Sequence, residues 1–296
     1  MKNFQIYNDD CVNVCKQLPN DCVDLTITSV PFASLYTYSD DPRDFSNVKD
    51  LDEFFNQMDY LIPELYRITA PMRIIAVHCK QLPTFKGRDG EMGLIDFRGM
   101  LIKAFQKHGW TYHGEITVWA DPQIEATRTK SASILWNSYQ KFAEITRTGM
   151  PDYVILMQKC EREEEEAKHV RHEKTDANFK NWTKIASPCW AVGDNTPKVS
   201  RTNVLNAKAA KEDKDEKHMT PLQLDLIEHL IEWFTNEGEV VFDPFGGIMS
   251  VPYQALKMKR KALAAELKTS YFETGLKYLE EVEKETKEIN IFDYME

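Results

Sequence analysis

Residues 239–267 spell out one complete strand–turn–helix–strand unit, and this unit constrains the fold more than any other feature of the chain. Glu239-Val240-Val241-Phe242 is a strand run and Asp243-Pro244-Phe245-Gly246-Gly247 a tight turn. Ser250 to Met258 reads as a helix and Lys261 to Leu267 as a second strand. The alternation recurs upstream. Phe4 to Tyr7 and the β-branched run Val23 to Thr28 read as strands. Leu51, Phe54, Phe55, Met58, Leu61, Ile62 and Leu65 fall on one helical face, which Pro63 is expected to kink or break near Ile62. Met72 to Cys79 predicts a buried strand, and Leu94 to His108 a helix stopped by Gly109. Trp110 to Trp119 predicts a strand, followed by a polar loop as far as Trp136, then a strand at Tyr153 to Met157. Leu222, Leu226, Ile227, Leu230, Ile231 and Phe234 make one apolar helix face, and Thr269 to Lys287 a final helix. Strands alternating with helices argue for an α/β fold whose mostly parallel sheet is covered on both faces.

The middle of the chain breaks this rhythm. Residues 161–174 are a dense charge run, and residues 178–217 have weak periodicity, several prolines and many charges, which suits an irregular lobe or insertion. At 296 residues and 42% hydrophobic content, the chain can bury one large core with an appended lobe. Its net charge of -10 argues against a broadly basic nucleic-acid binder, but phosphate contacts depend only on a local basic face. Cys11, Cys15, Cys22, Cys79, Cys160 and Cys189 include no CxxC pair, so no metal site is expected and the thiols read as reduced. With no signal-peptide pattern and no membrane-length apolar run, a cytoplasmic protein is expected.

The turn at Asp243 carries the first chemical signal. Gly246 and Gly247 let the backbone turn sharply and let a ligand approach the main chain. The next helix offers free N–H groups, and ligands of open α/β sheets sit at strand carboxyl ends. Glu266 follows Asp243 by 23 positions, near the ~20-residue spacing at which an acid meets ribose hydroxyls in dinucleotide folds. A GxGxxG pattern and a basic cradle for pyrophosphate are both lacking. An acid in the turn suits a cationic nucleoside such as S-adenosylmethionine, with its sulfonium, ammonium and ribose. A packing turn with a surface acid is the plainer alternative.

The second signal is Ser29-Val30-Pro31-Phe32 at the end of the second strand. It resembles the catalytic motif of DNA amino-methyltransferases: Asp, Asn or Ser, then Pro-Pro, then Tyr or Phe. Asn8-Asp9-Asp10-Cys11 is similar to a preceding Gly-Asp-Cys of that family. Glu216 to Gln223 stands before the Asp243 loop as the family's tenth motif does. The catalytic motif lies upstream of the cofactor motif, the order of the circularly permuted beta group. Ser34 to Ser39 and Gln123 to Trp136 also resemble stand-alone methylases of phages and mobile elements.

The resemblance implies a Rossmann-like, seven-stranded, S-adenosylmethionine-dependent methyltransferase sheet with a small inserted lobe. Residues 1–160 would be its catalytic half, 161–215 a variable target-recognition lobe or insertion, and 216–296 its cofactor-binding half. The implied reaction is site-specific methylation of an exocyclic base amino group in double-stranded DNA, on a base flipped out of the duplex. Adenine N6 is the preferred target and cytosine N4 the rival. Ser29 Oγ and the Val30 carbonyl would accept hydrogen bonds from the amino group, beside Pro31, with Phe32 stacked on the base. Asp10 and Cys11 would border the adenine of the cofactor, and Glu266 would bind its ribose. Phe245, Gly246, Gly247 and Ser250, with Asp243 and Pro244, would line its path, and Thr220, Pro221 and Gln223 would close its amino-acid end. Tyr36, Tyr38, Arg128, Thr129 and Lys130 are the candidate DNA contacts. Two positions depart from the family. Val30 replaces a proline, and Met249 replaces a small glycine and is expected to narrow the cofactor site. A catalytically degenerate relative that only binds DNA or a partner is therefore a second class of reading, and a methyltransferase acting on RNA or a protein amide a third. A homodimer is left open, and any restriction nuclease is expected on a separate chain.

Overall fold

The computed structural model describes residues 2–31, 45, 50–129, 134–160, 168–210 and 221–292. In chain order its strands are β1 (Phe4–Tyr7), β2 (Val23–Ser29), β3 (Thr69–Cys79), β4 (Leu82–Pro83), β5 (Leu94–Ile95), β6 (Thr111–Val118), β7 (Asp152–Gln158), β8 (Cys189–Trp190), β9 (Val240–Asp243) and β10 (Lys261–Ala265). The helices are α1 (Cys11–Gln17), α2 (Leu51–Ile68), α3 (Lys86–Asp89), α4 (Phe97–Lys107), α5 (Pro122–Thr129), α6 (Trp136–Lys141), α7 (Asp176–Ile185), α8 (Leu224–Phe234), α9 (Ser250–Lys257) and α10 (Thr269–Phe292).

Among the described residues, eight strands form the main sheet in the order β1-β10-β9-β2-β3-β7-β6-β8, and β4 and β5 pair separately. Only β7 is antiparallel to its neighbours; the other pairings in the main sheet are parallel. The apolar runs at Val23, Ile75 and Val241 suit strands covered on both faces. On one face, α1, α2 and α4 bury Val14, Phe54, Leu61, Phe97 and Phe105 against Ile75, Val77 and Phe242. On the other, α8, α9 and α10 bury Leu226, Leu230, Val251 and Leu279 against Leu25, Ile27 and Val241.

Strands β9 and β2 are hydrogen-bonded neighbours, with Leu25 opposite Val241 and Thr26 opposite Phe242. From β9 the chain crosses through α9 to β10 on one side, and from β2 through α2 to β3 on the other. The two connections leave in opposite directions and open a crevice beyond the carboxyl ends of β9 and β2. At the amino ends the same strands are pinned by a buried charge cluster. Arg73 Nη2 lies 2.7 Å from Glu239 and 3.5 Å from Asp24.

Four elements differ from the sequence reading. Helix α2 runs unbroken through Pro63. A mid-helix proline costs ~3 kcal/mol, but Phe54, Met58, Leu61, Ile62, Leu65 and Ile68 are buried on both sides of it, each worth ~1.5–3 kcal/mol. The expected polar loop after Trp119 contains α5, and α6 begins where that loop was expected to end. Helix α5 starts where the Asp121 carboxylate accepts from the amides of Gln123 and Ile124 and Pro122 takes the first helical position, both start signals independent of apolar periodicity. The helix predicted from Leu94 begins only at Phe97, capped by Asp96 onto Gly99 N, and Leu94 pairs in β5. Finally, the stretch 178–217 is less irregular than its composition suggests. It supplies most of α7 and the short strand β8, an eighth strand where seven were expected. Trp190 of β8 is fully buried and donates its indole N–H to Ile185 O at 3.0 Å.

Candidate active site

Strand β2 delivers Ser29 to the carboxyl edge of the sheet and β9 delivers Asp243 to the same edge, on neighbouring strands. After Asp243 the chain turns sharply. Gly246 N donates to Ala265 O at 2.8 Å, which ties the turn to the end of β10. Gly247 has φ +52°, and the direction of an absent Cβ meets nothing within 4 Å among the described residues. The backbone there is open to a ligand. Glu266 holds the turn from the other side: Oε2 accepts from Gly247 N at 2.7 Å and Oε1 from Lys268 N at 2.8 Å.

The β1 end joins this edge through Asn8, whose amide donates to Glu266 O at 2.9 Å and Leu267 O at 3.1 Å. Asp10 caps α1, its Oδ1 accepting from Val12 N and Asn13 N. Cys11 is buried, and burial pushes its thiol well up, so it offers a neutral wall and no nucleophile. Helix α8 leads into β9, so its start lies at the carboxyl edge, and Pro221 and buried Gln223 come with it. Ser250 is buried at the first turn of α9.

Asp243 is itself buried, and burial raises its carboxyl from 3.8 to about 7, against a lowering hydrogen bond from Phe245 N at 3.1 Å. The Thr28 hydroxyl lies beside the same carboxyl and also lowers it, without meeting full hydrogen-bond geometry. Such a group gains from a cation placed against it. Phe245 packs edge-on against Phe45, with ring centroids 5.2 Å apart.

A sequence profile of the N6- and N4-directed DNA methylases matches residues 23–277, which include both strand ends and the turn between β9 and α9. The chain belongs to the DNA methylase family. This methylase is 25% identical over 280 residues to the Type II methyltransferase M.BglII of Bacillus subtilis, an alignment covering 93% of this chain and 68% of that one. Its fold is that of S-adenosylmethionine-dependent methyltransferases. TTHA0409 of Thermus thermophilus, a chain assigned as a DNA modification methylase and solved with S-adenosyl-L-methionine, superposes with a TM-score of 0.62 at 18% identity, covering 94% of each chain. The PvuII DNA methyltransferase, described as cytosine-N4-specific, gives 0.63 at 16% identity over 96% of this chain and 92% of that one. S-adenosylmethionine is the methyl donor of the family.

The methylase corrects the expectation for Met249. Its φ is +67°, the conformation a glycine would adopt freely. Its side chain is 0% exposed and belongs to the core cluster under α9 and α10. A Cβ on Gly275 of α10 would lie 2.3 Å from Met249 Cγ, and one on Gly246 3.0 Å from its sulfur. The methionine therefore packs beneath the turn and does not narrow the space above it.

Four side chains at this edge escape a motif search. Ser29 Oγ lies 2.9 Å from Nδ1 of His78, its ladder partner on β3. His78 Nε2 faces Asp152 Oδ1 of β7 at 3.8 Å, and Lys80 Nζ and Arg201 Nη2 approach that carboxylate at 2.6 and 3.7 Å. The available signal was a histidine closing the strand next to Ser29. Phe32, Tyr36, Tyr38, Lys130 and Thr220 lie outside the described residues, as do the side chains of Arg128 and Thr129, whose backbone ends α5. Val30 is buried and Pro31 follows it at the crevice. Among the described residues there is no cluster of His, Cys, Asp and Glu able to hold a metal, and no helix long and apolar enough to cross a membrane.

Proposed function

We propose that this methylase transfers a methyl group from S-adenosylmethionine to the exocyclic amino group of a flipped base in double-stranded DNA, with adenine N6 as the target. The observation that carries the reading is the shared edge: Ser29 on β2 and the Asp243 turn on β9 flank the same crevice. A base amino group is a poor nucleophile because its lone pair is delocalised into the ring. Acceptors on its two N–H groups favour a pyramidal nitrogen and free that pair. Ser29 Oγ is one acceptor and the Val30 carbonyl the other, with Pro31 and Phe32 walling the base.

The residues present fit the methyl donor. The open backbone at Gly247 gives room for it, and the buried acid of Asp243 suits its positive charges. Asp243, Pro244, Phe245, Gly246, Gly247 and Ser250 would hold it along the turn. Glu266 would take the ribose, Asp10 and Cys11 the adenine, and Thr220, Pro221 and Gln223 the amino-acid end. When bound, the group supplies an electrophilic methyl on a sulfonium. The protein contributes alignment of that carbon with the amino nitrogen and exclusion of water.

DNA would approach over the carboxyl edge beyond β6, with Arg128 and Thr129, the last residues of α5, and Lys130 as its proposed contacts. Two exposed aromatics, Trp136 and Tyr139, stack there with centroids 5.5 Å apart. Aromatic faces of this kind hold unstacked bases, at ~1–3 kcal/mol per base. Tyr36 and Tyr38, and the segment 161–215, are the proposed target-reading elements.

Nucleoside mass spectrometry of DNA from a methylation-deficient strain, treated with the protein and S-adenosylmethionine, tests the reading. N6-methyladenine is the expected product, and Ser29→Ala should lower its rate ~100-fold or more, as for loss of a transition-state hydrogen-bond partner. N4-methylcytosine would move the target to cytosine, since Ser29 accepts equally from either amino group. Cofactor binding without any modified nucleoside in DNA would defeat the assignment.

A further inference from the structure

We propose that His78 is a positioning residue for Ser29, taking the hydroxyl hydrogen so that only lone pairs of Oγ face the target amino group. The inference rests on the reading above that Ser29 meets the base. It begins from cross-strand register. Ser29 and His78 are partners on adjacent parallel strands, at the last residue of β2 and the penultimate residue of β3. Alternation along the strands places Ser29 with Leu25 and Ile27, and His78 with Ile74 and Ala76, all of which pack on one face. The two side chains meet at 2.9 Å through Nδ1.

The tautomer follows from the surroundings. His78 is buried, and burial first, then the charges of Lys80 and Arg201, pushes its ring down to about 3. A neutral ring has one N–H and one acceptor nitrogen. Nε2 has no hydrogen-bond partner among the described residues, and it faces the Asp152 carboxylate at 3.8 Å. The carboxylate favours the hydrogen on Nε2, which leaves the Nδ1 lone pair for Ser29. The charged groups facing the ring are Asp152 from β7, Lys80 just beyond β3 and Arg201 from the segment after β8.

A serine hydroxyl is both donor and acceptor. Free to rotate, it could donate to the amino nitrogen as that nitrogen pyramidalises, and so occupy the lone pair that must attack carbon. Bound to His78 it cannot. A hydroxyl that donates also becomes a stronger acceptor, by roughly 10–30% per bond in a chain. His78 itself undergoes no covalent or protonation change in this account. As the N–C bond forms the C–S bond breaks, S-adenosylhomocysteine leaves as a neutral thioether, and the proton lost from the methylated nitrogen is released to solvent.

The full chain, S-adenosylmethionine and total DNA from a methylation-deficient strain test the proposal by initial rates of nucleoside methylation. For His78→Leu, kcat should fall about 10- to 100-fold, while KM for S-adenosylmethionine should change by less than about 2-fold. His78→Asn, whose Oδ1 can replace Nδ1 as acceptor, should recover most of the rate. In a Ser29→Asn background, where a carbonyl oxygen accepts without help, His78→Leu should cost less than about 3-fold. Unchanged kcat in His78→Leu, or an equal loss in the Ser29→Asn background, overturns the role. If His78→Leu does not fold, His78→Asn and His78→Gln decide: Asn ahead of Gln by about 10-fold supports the role, because the Gln amide reaches toward Nε2 instead, and equal rates overturn it. A wild-type protein that modifies no DNA removes the underlying reading, a failure visible before any His78 variant is made.

Discussion

Met249 and Gly275 form a complementary pair. The methionine adopts a left-handed conformation, a strain of ~1–2 kcal/mol, and its side chain is received where Gly275 has no Cβ. Gly275→Ala should lower stability by ~1–3 kcal/mol through overpacking, read as a shifted urea midpoint. The same change in a Met249→Gly background should cost less, because the Met249 side-chain atoms are gone and the Ile248 carbonyl carbon at 3.0 Å is the close contact that remains. Asp243 gives a residue-scale pH signature. Its folded value, about 7, exceeds the unfolded 3.8, so the folded state binds the extra proton between them. The stabilising contribution is complete below pH ~4 and is lost as pH rises through ~7. Thermal unfolding of the cofactor-free chain should show that decline, and Asp243→Asn should remove it. If a cation then binds against this group, cofactor uptake below pH 7 should release a proton, measurable by calorimetry in buffers of different ionisation heat.

Helix α5 shows what holds a weakly patterned element in place. Glu125 is buried and accepts from Met150 N and from Arg147 Nη2, the latter at 3.2 Å. Glu125→Ala should destabilise the protein by about 1–3 kcal/mol, since it leaves a buried amide without its acceptor. A urea midpoint unchanged from wild type would contradict this. The same helix marks the boundary of what could be read beforehand. Strands such as β2 and β9 announce themselves by β-branched runs, and α2 and α8 by apolar faces, because burial acts directly on residue type. Helix α5 lacks such a face and is fixed by the Asp121 cap and by Glu125, one local and one long-range polar contact. The α2 proline misled for the converse reason, since a strong local rule was outweighed by burial on both sides. At the site, the ends of β2 and β9 were legible as strand runs ending in unusual residues. The meeting of Ser29 with His78 was not, because it depends on which strands lie side by side, and chain order does not reveal that.

The whole molecule gathers five chain segments at one edge: the ends of β1, β2, β3, β9 and β10. A ligand that spans them should bind the native state alone. At a cofactor concentration 100 times Kd, the expected stabilisation is ~2.7 kcal/mol, or several degrees in Tm for a chain this long. The absence of a shift with S-adenosylmethionine would argue against the proposed site. The net charge of -10 makes DNA affinity depend on a few local cations. Its salt dependence should therefore be shallower than that of a basic repressor, with a slope that counts those contacts.

One strand direction governs what this edge can hold. Because β7 runs against its neighbours, its first residue, Asp152, arrives where the other strands finish. Turned around, the same seven-residue segment would carry that carboxylate ~20 Å away, to the opposite rim. The reversal thus sets a carboxylate at this edge from rigid backbone in place of a loop, and an insertion that shifts the register of this strand would take away the group that faces Nε2 of the neutral imidazole while leaving both signature motifs untouched.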